Sequence, residues 1–317
     1  MSVAGGGGVA GGGGGGERAP VIDAGAAWYS LGSPAVRGGV VGGGMVGGGG
    51  AIRGRVCAVF RRAVYLRFGG TLVAVGSGAI PSGPLHLRTP RFAEARLAVG
   101  DPVTLESGVL HAGRLEVEVR GDHCWVPPAV DASALRAAAG GWLAADPPAD
   151  DAGGIGGAAA PSVAGGDLDA VADALVGRGS GLTPEGDDIL AGIVVVDALL
   201  HPENDTYRCG VAARAAVRTN DVAAAFLAWA AVGQSIGPTH NLLVAVAAGN
   251  HRTAFAARAE LTGIGASSGA ALLHGVQQAL AGVADGIAAP EAIARRCNSD
   301  ATSGAMVVGC PTEGPHA

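Results

Sequence analysis

The chain has 317 residues, 57 of them Gly, with 15% charged residues and a formal net charge of −6; no basic field is available to hold a phosphate backbone, which argues against nucleic-acid binding. All 21 basic residues are Arg, so there is no Walker lysine, Schiff-base lysine or lysine general base. Five scattered cysteines without a C-x-x-C pair point away from a disulfide framework and towards a reducing cytoplasm, and the apolar stretches 189–200 and 222–232 are too short to span a bilayer.

Residues 1–50 are mostly Gly runs. Gly loses the most backbone entropy on ordering and brings no side chain to bury, so this segment is expected to be a disordered tail. The start, Met1-Ser2-Val3-Ala4-Gly5, lacks the basic and apolar regions of a secretory signal. From 51 to 130 the pattern is β. Short runs at 55–60, 63–68 and 71–75, then at 85–88, 102–105, 109–111, 115–119 and 124–126, alternate with Gly turns. Many short, evenly spaced strands predict a small barrel or sandwich. His86 and His111 fall inside these strands and read as satisfied or exposed residues.

After Asp131 the period becomes helical. Helices are predicted at 132–145, 167–177, 184–200, 206–218, 220–232, 239–249, 251–261, 268–284 and 289–297, with a Pro/Gly/Asp-rich linker at 146–166 and a flexible tail at 298–317. The fold class is α+β, a small β unit at 51–130 followed by an Ala-rich helical domain at 131–297. Within the helical part, Gly186-Asp-Asp-Ile-Leu-Ala-Gly-Ile193 lines up with Gly269-Ala-Ala-Leu-Leu-His-Gly-Val276. This is either a structural pseudo-repeat or the chance likeness of Ala-rich helices.

The chemistry concentrates at Gly179-Ser-Gly-Leu-Thr-Pro-Glu-Gly-Asp-Asp188. Thr183-Pro184-Glu185 is a strong helix start, with Thr as cap, Pro at the first position and Glu in the first turn. The run 189–196 is apolar around its whole circumference and predicts a central, buried helix. Asp187 and Asp188 therefore stand at the head of a buried helix, where carboxylates need partners. Glycines feeding a helix N-terminus can cradle an anion, and two Asp beside one could hold a divalent cation such as Mg2+. The plainer alternative is a turn glycine, a cap and two helix-end carboxylates.

The pattern Gly179-x-Gly-Leu-Thr-Pro-x-Gly-Asp-Asp188, followed by Ile-Leu-Ala-Gly192, resembles the signature of a bacterial family that includes the third subunit of oxamate carbamoyltransferase, an enzyme of allantoin and purine catabolism. The segments 263–269 and 235–243, and the β-rich stretch from Arg53, also resemble parts of that family. The chain departs from it at Glu185, where Ser is usual, and at Ala266-Ser267, where His-Thr is common.

The resemblance implies carbamoyl transfer between a ureido acid such as oxalurate and phosphate, by way of carbamoyl phosphate, in a hetero-oligomer with other subunits. The alternatives kept open are a non-catalytic, anion-binding partner subunit and a stand-alone metal-dependent enzyme acting on a small phosphorylated metabolite. The candidate catalytic residues are Asp187, Asp188 and Thr183, with Asp187 preferred as base or Mg2+ ligand and Asp188 in support. Arg178, Gly179, Ser180, Gly181, Gly186, Ser267, Ser268, Gly269 and Thr239 are the candidate binding residues for a small anionic substrate. Ser268, Thr239 and Thr219 read equally well as plain helix caps. The loops 177–188 and 263–269 are expected to converge on one pocket, because both are Gly-rich and both feed helix N-termini.

Overall fold

A computed structural model describes residues 18–31, 50–147 and 168–284. The predicted helix 289–297, the tail 298–317 and nearly all of the predicted linker lie outside the described residues.

The N-terminal part is one curled eight-stranded sheet. Its strands are β1 (Asp23–Ala24), β2 (Ile52–Val59), β3 (Ala63–Phe68), β4 (Thr71–Gly76), β5 (His86–Arg88), β6 (Pro102–Glu106), β7 (Val109–Ala112) and β8 (Leu115–Glu118). They run in the order β1-β5-β4-β3-β2-β6-β7-β8. Only the β4–β5 pairing is parallel. Successive side chains of a strand point to opposite faces, and β3 shows what this sorts. Val64, Leu66 and Phe68 enter the core inside the sheet, while Arg67 reaches outward to pair with Asp221.

The expectation of a coreless tail over 1–50 fails for residues 18–31. Ala19 bridges to Val117 of β8, Asp23–Ala24 pairs with β5, and Ala24 bridges to Cys124. The short helix α1 (Ala26–Ser30) then buries Trp28, whose indole N–H donates to the carbonyls of Ala74 and Leu85 at 3.2 and 3.0 Å. Arg88 locks the entry with two hydrogen bonds to the Asp23 carboxylate, at 2.7 and 2.5 Å. Composition hid this segment because a few anchoring residues lie between the Gly runs.

The helical part comprises α2 (Ala132–Ala145), α3 (Leu168–Leu175), α4 (Glu185–Leu200), α5 (Thr206–Arg218), α6 (Asp221–Ala231), α7 (Gly237–Ala247), α8 (His251–Thr262) and α9 (Ser268–Ala284). Local chemistry sets several ends. Asp131 caps α2 through the amides of Ser133 and Ala134, and Asn220 caps α6 through those of Val222 and Ala223. The α4 helix is the axis of this part: every residue from Ile189 to Val196 is buried. Against it pack α9, α6, α3 and α2, and the remaining helices extend the same apolar cluster. The sheet and the helices have separate apolar clusters, joined where Phe226 packs against both and Trp229 enters the sheet's cluster. The α6 helix thus fixes the sheet against the helices, helped by the Arg67–Asp221 ion pair.

Candidate functional site

A cavity of about 360 Å³ lies between the sheet and the helices. Its helical wall includes Thr183, Asp188, Ser235, Ser268 and Gly269, and its sheet wall includes Arg62, Tyr65 and His86. The rest of the wall is mainly apolar, with Phe60, Ile80, Phe226, Ile236 and Leu272 among it.

The polar centre is at the heads of α4 and α9. The Thr183 and Ser268 hydroxyl oxygens are 2.7 Å apart, so the loops before these two helices meet here. Both hydroxyls hydrogen-bond the Asp188 carboxyl, whose Oδ2 is nevertheless buried without a partner among the described residues. Burial pushes the Asp188 carboxyl up to about 7, helped by the negative charges of Asp187 and Glu185 and opposed by the Ser268 and Thr183 hydrogen bonds. A carboxyl of this kind exchanges a proton readily at neutral pH.

Asp187 is placed differently. Its Oδ1 accepts from the Gly177 amide at 2.8 Å, and the Thr219 hydroxyl donates to Oδ2. It is buried away from the cavity wall, with its carboxyl raised by burial and held back by those two donors. The two carboxylates are therefore placed otherwise than expected, with Asp188 and not Asp187 at the cavity. Asp187 braces the loop entering α4 against the end of α5, and Asp188 faces the cavity. Adjacent helical residues project about 100° apart, and the helix phase decides which one enters.

The remaining candidates divide. Thr183 does not cap α4, which begins after Pro184 without a side-chain cap; its hydroxyl faces Ser268 instead. Gly179, Ser180 and Gly181 are exposed and off the cavity wall. Gly179 and Gly181 have φ of +116° and +93° and serve the turn. The Gly186 amide, foreseen as an anion donor, instead donates to the Arg178 carbonyl at 2.9 Å, so it is spent within the loop. Gly269 lines the cavity, but its amide likewise donates to the Ile264 carbonyl at 3.0 Å. The side chains of Arg178 and Ser267 do not reach the wall. Thr239 is fully buried one layer back, where its hydroxyl accepts from Ser235 at 3.3 Å.

The sheet wall escaped the sequence reading. Tyr65 is pushed up to about 12 by burial and by the Asp188 charge. His86 is buried, edge-on to Phe226 at 5.8 Å, and burial pulls it down to about 4 despite the backing of the Pro81 backbone. Both are neutral at pH 7. Charge on the wall is thus confined to Asp188 and Arg62.

Metal binding has little to use. Asp187 has both oxygens engaged, and no group of three or more His, Cys, Asp or Glu suited to a metal ion occurs among the described residues. The site does not fit the Mg2+ foreseen at Asp187. No disulfide occurs among the described residues, and none of their helices is long and apolar enough to cross a membrane.

Fold and site together define an α+β protein in which a curled, mostly antiparallel sheet closes a cavity over the heads of two buried helices. Residues 175–280, which carry the helical wall, match the model of a family described as oxamate carbamoyltransferase subunit AllH. That match covers about a third of the chain and agrees with the family resemblance read from its sequence. No curated protein and no solved structure matches the chain.

Proposed function

We propose that this chain is a subunit of an oxamate carbamoyltransferase-like assembly, and that the cavity between sheet and helices holds its carbamoyl substrate. The family description supports the reaction class and implies partner chains. The observation that carries the reading is Asp188, near-neutral in pKa, held by two hydroxyls and unpartnered at one oxygen on the cavity wall.

The chemistry asks for such a group. Phosphate oxygen attacks the carbamoyl carbon of the ureido acid, the bond from that carbon to the oxamate nitrogen breaks, and the nitrogen takes up a proton. Neutral Asp188 donates that proton and becomes the carboxylate. In the reverse direction the carboxylate removes a proton from the oxamate amide as it attacks carbamoyl phosphate. A pKa near the working pH suits both directions. Thr183 and Ser268 orient the carboxyl and steady its charge. No step uses a metal.

The test is phosphate-dependent formation of carbamoyl phosphate from oxalurate, with the chain co-expressed with its partner subunits. Asp188→Asn keeps the volume and removes the acid. Loss of such a group lowers kcat by roughly 10²–10⁴, with oxalurate affinity nearly kept. Wild-type kcat in D188N rules out the acid–base role. Binding that is kept with no turnover in any subunit combination supports the non-catalytic alternative.

A further inference from the structure

The cavity has one cationic side chain, and it comes from the sheet. Arg62 lies in the tight β2–β3 turn, closed by the Phe60 amide donating to the Ala63 carbonyl at 2.8 Å. Its own carbonyl accepts from the Ser77 amide at 2.9 Å, which ties the turn to the end of β4. The backbone at Arg62 is therefore fixed while its side chain remains exposed at the cavity edge. Most other arginines near an acid are spent in pairs: Arg67 with Asp221, Arg88 with Asp23, Arg208 with Asp197 and Arg258 with Asp146. Arg62 has no carboxylate partner among the described residues.

The inner parts of the wall are neutral or acidic. His86 is buried and uncharged, and it presents an unpartnered Nδ1. Asp188 presents an unpartnered Oδ2. A substrate with an anionic end and an N–H-bearing end meets complementary groups in only one direction. We propose that Arg62 is the carboxylate anchor of the site and fixes the substrate with its acid end at the cavity edge and its amide or ureido end inward, facing Asp188. This rests on the functional reading above and adds the direction of binding and the residue that enforces it. Planar guanidinium recognises planar carboxylate through paired N–H donors. In a chain without lysine, such recognition falls to arginine or to helix ends, and the glycine amides at the two helix heads are already spent.

The test compares oxamate with oxamide, which replaces the carboxylate by an uncharged amide of nearly the same shape. Binding to the full-length chain is measured by calorimetry for wild type, Arg62→Gln, Arg62→Lys and D188N. Wild type is expected to prefer oxamate by roughly tenfold or more, as hydrogen bonds to a charged group allow. R62Q should bind the two alike, R62K should keep part of the preference, and D188N should keep most of it. In turnover, R62Q should act mainly on KM and D188N mainly on kcat. Undiminished preference for oxamate in R62Q overturns the anchor while leaving the acid–base reading intact. Loss of both ligands in R62Q marks Arg62 as structural and also overturns it. Failure of wild type to bind either ligand removes the functional reading, and the anchor with it.

Discussion

Gly192 of α4 and Gly275 of α9 face each other's helix backbones across one crossing. A Cβ on Gly192 would stand 2.3 Å from the Leu272 carbonyl oxygen, and one on Gly275 would stand 2.0 Å from that of Ile189. The relation is reciprocal at a constant offset of 83 positions, the offset of the internal echo in the sequence. The echo extends to the helix heads. A Cβ on Gly186 would meet the Leu175 carbonyl oxygen at 2.1 Å, and one on Gly269 would meet that of Leu261 at 1.9 Å, each at the end of the preceding helix. Glycine at these four places brings the heads of α4 and α9 together, which puts Thr183 beside Ser268.

Gly275→Ala should therefore destabilise the protein by about 3 kcal/mol or more, because the added methyl meets backbone that cannot move aside. Gly141→Ala is the control. Gly141 lies in α2 with open space where its Cβ would go, and helix propensity predicts a gain of about 0.5–1 kcal/mol. Urea midpoints for the two variants should move in opposite directions.

Asp187→Ala should also destabilise, by about 1–3 kcal/mol, since it strips an acceptor from the Gly177 amide and the Thr219 hydroxyl. Asp187→Asn keeps an acceptor for the amide and should cost less. Either variant removes a negative charge beside Asp188, so the pH profile of kcat should shift towards lower pH while the maximal kcat is kept once the folded fraction is equalised. A large loss of maximal kcat in D187N would return Asp187 to the chemistry.

Stability should depend on pH through Asp188. Its carboxyl is raised from 3.8 to about 7 in the folded protein, so the folded state binds the extra proton within that window. The stabilising contribution is full below about 4 and is lost as pH rises towards 7. His86 and His240, both lowered to about 4 by burial, act oppositely: their contribution is present above about 6.5 and lost as pH falls towards 4. The difference between wild type and D188N isolates the carboxyl. D188N should gain on wild type between pH 5 and 8 in denaturant midpoint, by an amount on the order of a few kcal/mol.

Val195 is fully buried in α4. Val195→Asp should cost several kcal/mol by placing an unpaired carboxyl in the apolar core of the helical part. A nearly unchanged denaturant midpoint would remove α4 from its central place.

Much of this architecture was legible in the residues. The all-round apolar run from Ile189 to Val196 predicted the buried helix, and the change of period after Asp131 predicted the passage from strands to helices. The sequence does not contain the phase of α4 relative to its neighbours. Asp187 and Asp188 are adjacent and chemically alike, and only packing shows which one meets Thr219 and which meets the cavity. The sheet wall was hidden for a related reason. Strand alternation shows that Tyr65 and His86 sit apart from the sheet's core residues, but it does not show that helices cover that face. Arg62 lies in a turn, and only the fold shows that this turn stands at the cavity edge.

The strand entry at residues 19–24 has a consequence for how the chain is made. Its partners are Arg88, Val117 and Cys124, separated from it by about sixty to a hundred residues of later sequence. Contacts at such separation form late, because loop-closure entropy must be met before they contribute. During synthesis residues 18–31 emerge long before their pairing partners exist. Until they dock, the edges of β5 and β8 stay open to other chains, and open strand edges promote aggregation. A shortened chain would keep this seal only if the cut stops before Arg18. A cut beyond Leu31 would leave the sheet unsealed for the life of the molecule.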